Sequence, residues 1–105
     1  MNLSPSEVTL GDLLADLLDE VDVEVLANRE YARNGVAFAH RTGEEVIDLR
    51  LGSEIVDAAR RTTDTSASPR GEDWIRFSPA NWDDHSRDRL GAWFRVAWRL
   101  AATGR

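Results

Sequence analysis

The chain reads as an α+β protein of two layers: a mostly antiparallel four-stranded sheet with helices on one face, in the order α-β-β-β-α-β-α. Three observations point there. Residues 36–41 and 46–51 are β-like runs joined by the turn-forming Thr42-Gly43-Glu44-Glu45, and an amphipathic segment follows at once after Gly52-Ser53. Asn34-Gly35, just upstream, is the strongest short hairpin signal, because both positions of a type I′ turn accept positive φ. Helical periodicity opens and closes the chain, so the apolar stripes of the end helices have a sheet face to cover.

In chain order, Ser4-Pro5-Ser6-Glu7 has the pattern of a helix start, with Thr9 and Asp12 as a competing cap one turn later. Leu10, Leu13, Leu14, Leu17, Leu18 and Val21 recur at helical spacing, and the acidic residues fall opposite, which predicts a helix ending near Glu20. Val21, Val23 and Val25 then alternate with acids, predicting a strand that reaches Tyr31 or Arg33. In the next strand Val36, Phe38 and His40 share one face by period two, and Ala37, Ala39 and Arg41 the other. The strand after it sets Ile47, Leu49 and Leu51 against Val46, Asp48 and Arg50. Ser53 is placed to cap a short helix over residues 54–61. Residues 62–73 are small, polar and aperiodic, and so read as a loop; loops of this length carry function more often than short ones. Residues 74–77 make a short strand with Ile75 and Phe77 on the apolar side and Trp74 and Arg76 on the charged side. Asn81 and Asp84 stand at capping-box spacing before a last helix whose Leu90, Trp93, Phe94, Ala97, Trp98 and Ala101 form one face.

At 105 residues the chain is expected to be a single domain, residues 1–105. No apolar run exceeds four residues, which leaves nothing to span a membrane and no secretory core, so a cytoplasmic setting and no membrane partner are expected. The absence of cysteine removes disulfides, thiolate metal sites and cysteine nucleophiles. All 13 basic residues are arginine, which removes Schiff-base chemistry as well. A net charge of −6 disfavours nucleic acid and anionic lipid as partners, because phosphate binding rests on a positive field.

The charged sheet face is the best candidate site. It gathers Asp48, Arg50, Trp74 and Arg76, with Arg41 nearby, and tryptophan beside arginine is the composition of interface anchors and of stacking platforms. The competing reading is internal: Asp48 offsets Arg50 or Arg76, and Trp74 stacks on a guanidinium for stability alone. His40 is expected toward the core or its rim as a hydrogen-bonded structural group, with an acid/base site using Asp48 or Asp64 as its alternative role. With two histidines and no cysteine, neither a metal nor another cofactor is expected. A partner protein or a second copy of the chain, forming a homodimer, is the expected occupant of the face.

The runs Gly35-Val36-Ala37-Phe38-Ala39-His40, Ile47-Asp48-Leu49-Arg50-Leu51, Asp73-Trp74-Ile75-Arg76-Phe77 and Ala97-Trp98-Arg99-Leu100-Ala101 resemble the pattern of small bacterial and fungal luciferase-domain proteins. That resemblance covers residues 31–102 and implies the fold arrangement above. The family often has a His-x-His after the glycine-containing strand. His40 matches its first histidine and Thr42 stands in place of the second, so the family's reaction is not carried over; the enzyme alternative that the resemblance leaves is a small luciferase-like oxidative or acid/base activity near His40 and residues 62–73. The order of elements also resembles the MmcQ/YjbR-like small domains, which are labelled DNA-binding. That label implies affinity that falls steeply with salt and depends on Arg41, Arg50 and Arg76.

Overall fold

The computed structural model describes residues 8–103. Helix α1, Leu10–Glu20, starts at Thr9, whose side chain accepts from the Asp12 backbone while Asp12 reaches back to the Thr9 backbone, a complete capping box. The alternative start at Ser4 lies outside the described residues. Leu10, Leu14 and Leu17 are buried along one stripe of the helix, which the sequence spacing requires.

The single strand predicted over residues 21–33 is two strands. β1, Glu24–Leu26, and β2, Glu30–Arg33, are separated by one 3₁₀ turn, Ala27–Arg29. Asn28 and Arg29 both take positive φ, 64° and 61°, and this folds β1 back antiparallel beside β2. Asn34 and Gly35, at φ 53° and 78°, make the tight turn into β3, Val36–Gly43. β4, Val46–Arg50, α2, Ser53–Ala59, and β5, Thr65–Ala67, follow, then β6, Trp74–Phe77, and α3, Asp84–Ala101. β5 sits inside the segment expected to be a loop, because Asp64 takes positive φ and turns residues 65–67 alongside β6. The caps differ in detail from the sequence reading. Gly52 rather than Ser53 occupies the N-cap of α2, with no side-chain hydrogen bond, and Asp83 rather than Asn81 caps α3 by accepting from the Ser86 backbone at 2.9 Å.

The result is an α+β domain with one antiparallel sheet of six strands, in the order β1-β2-β3-β4-β6-β5. The two strands beyond the expected four extend its opposite edges. One sheet face packs on the helices. Phe94 of α3 meets Phe38 and Tyr31 edge-on, with ring centroids 5.3 and 6.4 Å apart, and Phe77 sits between Trp82 and Trp93 at 5.6 and 5.0 Å. Ile47, Leu49 and Ile75 fill the space between them, and Val56 and Ala59 of α2 join the same core. Each large side chain buried this way contributes roughly 1.5–3 kcal/mol. Trp98 lies at the rim, its indole donating to the Asp22 carbonyl at 2.8 Å under the Arg33 guanidinium. No helix among the described residues is long and apolar enough to cross a membrane.

A β-bulge decides which residues reach the other face. Tyr31 pairs with Ala39, but the next residue, Ala32, pairs with Ala37, so Phe38 is an extra residue in β3. Phe38 and Ala39, adjacent in sequence, are both fully buried. Beyond the bulge the alternation is inverted. His40 therefore stands opposite Asp48 on the outer face, and Arg41 opposite Ile47 on the helix side. Both residues are on the opposite side from the one that strict period two assigns.

Candidate functional site

The outer face of the sheet carries a polar row that crosses five strands in direct register. Glu30 pairs with His40, His40 with Asp48, Asp48 with Arg76, and Arg76 with Ser66. Asp48 is the fixed point of the row, only 1% exposed at the centre of the sheet. Arg76 grips it with both prongs, Nε to Oδ1 at 2.9 Å and Nη2 to Oδ2 at 3.1 Å, and the Ser68 hydroxyl donates to Oδ2 at 3.2 Å. These hydrogen bonds from Arg76 hold its guanidinium still more firmly in the charged form than usual. A carboxylate this deep is tolerated only because three donors replace the water it has lost.

The segment from Ser68 to Asp73, which joins β5 to β6, folds over this face. Arg70 reaches Glu30 with an ion pair and lies 4.8 Å over the Trp74 ring. The Ser68 hydroxyl accepts from the Arg70 backbone at 3.1 Å, and Asp73 accepts from Arg50 Nε at 2.8 Å. A Cβ placed on Gly71, at φ 149°, would stand 3.6 Å from Trp74 Cδ1, so the loop lies directly against the indole. Beside it an open cleft of roughly 440 Å³ separates this loop from α2.

Of the six candidate residues, Asp48, Arg50, Trp74, Arg76 and His40 share this face, and Arg41 does not. Arg41 points past the start of α1, where its Nη2 donates to the Glu44 carbonyl at 2.8 Å and pairs with the Glu44 carboxylate. The bulge is the cause. For the same reason His40 is half-buried on the outer face, 3.3 Å from the Thr42 hydroxyl, and not directed into the core. The expectation of an exposed Trp/Arg platform is also corrected. Trp74 is 8% exposed and Asp48 1%, because the loop and the arginines cover them. Arg50 and Arg76 remain partly open, with about a quarter to a third of each side chain exposed. The internal pairings weighed as the competing reading, Asp48 with Arg76 and Trp74 beneath a guanidinium, are both present.

Glu30, Ser66, Ser68, Arg70 and Asp73 also belong to the site; of these the sequence points only to Ser66 and Ser68, as nucleophiles that would need a positioned base. The last four lie in or beside the aperiodic stretch, where no alternation assigns a face. The only signal for Arg70 and Asp73 was that they flank the tryptophan. Comparison with protein-family models, with curated proteins and with solved structures finds no match.

Proposed function

We propose that this chain is a small binding domain that holds a protein partner, or a second copy of itself, on the outer sheet face around Arg70 and Arg76. One observation supports the reading most strongly. Each of these guanidinium groups is fixed from behind, Arg76 by buried Asp48 and Arg70 by Trp74 and Glu30, while 30% and 27% of their side chains remain open to solvent. An arginine already held in one rotamer loses little entropy when a partner arrives, which is why such residues serve as interface anchors. In this reading Trp74 is the support under the anchor and not the anchor itself. The test uses wild type, Arg70→Glu and the distant control Asp19→Asn as bait in an extract of the source cell. Wild type and the control retain the same protein and Arg70→Glu loses it. Equal retention by Arg70→Glu, or no retention by wild type, contradicts the reading.

A second reading rests on the position of His40, which the strand register sets between the carboxylates of Glu30 and Asp48. An imidazole so placed has the neighbours of a general acid/base, the type of chemistry considered for His40 from the sequence. A substrate turned over equally well by wild type and His40→Gln counts against it. Nucleic acid is the least supported partner: Arg41, Arg50 and Arg76 each have an acidic neighbour, Glu44, Asp73 and Asp48.

A further inference from the structure

The cleft beside the Ser68–Asp73 loop is lined by charges that the fold does not neutralise. Along the outer face, Asp48, Arg50, Glu30, Arg70, Arg76 and Asp73 are joined in ion pairs. The cleft differs. α2 and its C-cap contribute Val56, Asp57 and Arg60 to the lining, and the stretch from β5 to β6 contributes Ala67, Glu72 and Trp74. Among the described residues the side chains of Asp57, Arg60 and Glu72 make no hydrogen bond or ion pair, although Arg60, the C-cap of α2, follows Asp57 by three residues. The lining thus gathers one cation and two anions with the apolar surface of Val56, Ala67 and Trp74.

We infer that this cleft binds a small zwitterion of dipeptide size. It goes beyond the partner surface proposed above, with which it shares only the stretch from Ser68 to Trp74. The charge pattern selects the ligand class. A phosphate or other simple anion would meet two carboxylates beside Arg60, and a simple cation would leave Arg60 without an opposite charge. A metal ion lacks its ligands, since no three acidic or histidine side chains converge among the described residues. A molecule with a carboxylate for Arg60 and an ammonium for Asp57 and Glu72 gives each of these charges an opposite partner, and its side chains take the apolar surface. A volume of roughly 440 Å³ suits a dipeptide, within the range of pockets for small ligands.

The experiment follows backbone amide shifts by NMR while a panel of dipeptides is added, each also in its N-acetylated and its C-terminal amide form. Saturable shifts are expected over residues 53–60 and 67–74, with at least tenfold weaker binding for either blocked form. Arg60→Gln should bind the dipeptide and its amide equally, and the double variant Asp57→Asn with Glu72→Gln should bind the dipeptide and its N-acetyl form equally. All three positions are exposed, so none of these changes disturbs the core. The inference is overturned if no dipeptide gives saturable shifts, if blocked forms bind as well as the free dipeptide, or if shifts saturate elsewhere. Loss of partner capture by Arg70→Glu is a separate readout, so the two proposals stand or fall apart.

Discussion

At the scale of single residues, the pairing of Asp48 with Arg76 is unequal, and the inequality can be measured. Asp48 is buried, whereas Arg76 keeps 30% of its side chain in water. Arg76→Ala leaves a carboxylate at the centre of the sheet with one hydroxyl in place of a guanidinium, and should cost about 3 kcal/mol or more. Asp48→Ala leaves an arginine that water can reach, and should cost about 1–2 kcal/mol. Urea unfolding of the two variants checks the order; a larger loss for Asp48→Ala would mean that the carboxylate is better hydrated than its burial indicates. On the opposite side of the molecule, Arg95 hydrogen-bonds Glu20 and holds that carboxyl below its ordinary value of 4.5. A group whose folded pKa is depressed stabilises the fold above its unfolded pKa, and that contribution is lost as pH falls through the folded value. The stability difference between wild type and Glu20→Gln should therefore be constant near neutrality and shrink below about pH 4.5. Denaturation midpoints across pH 2–7 read this out. Residue faces were readable from the sequence only where strict alternation holds, as in Ile47, Asp48 and Leu49. Bulges leave little trace in a single chain. Here the trace was two adjacent apolar residues, Phe38 and Ala39, either of which suits the core.

At the scale of elements, one carboxylate links three parts of the chain. Glu45, in the turn between β3 and β4, accepts from the Leu10 backbone at the start of α1 at 3.0 Å and from the Trp82 indole before α3 at 2.8 Å, both on Oε1. Glu45→Ala leaves both partly buried donors without it and should cost about 2 kcal/mol. Glu45→Gln keeps an acceptor oxygen at the same place and should cost clearly less. Thermal unfolding of the pair distinguishes this link from an ordinary surface glutamate, for which both changes would be near neutral. The helices were readable in the sequence because periodicity and caps agree on them, and so was the hairpin at Asn34-Gly35. β5 was not, because Thr65-Ser66-Ala67 has neither β-branched alternation nor an apolar face of its own. It is a strand because β6 offers it an edge. The break between β1 and β2 escaped for a related reason, since Asn28 and Arg29 adopt positive φ in a stretch without glycine.

At the scale of the whole molecule, the two layers meet at Phe94, which is fully buried and touches rings from two strands. Phe94→Ala should cost about 3–5 kcal/mol, whereas Val25→Thr on the exposed edge strand, 62% open, should change stability by no more than about 0.5 kcal/mol. Guanidinium unfolding of both tests whether the core lies where described. With the ring–ring contacts among the described residues on the helix side, the molecule presents water with a sheet face whose charges are paired and held in place, and a protein partner is proposed to dock there. The most direct test places a photo-crosslinking amino acid at Ser66, at the end of the polar row, and in a second variant at Asp19 on the exposed side of α1, and irradiates the source cells. A discrete adduct from position 66, a second copy of the chain included, with none from position 19 is the expected result. Adducts from position 19 alone, or equally from both, would contradict it.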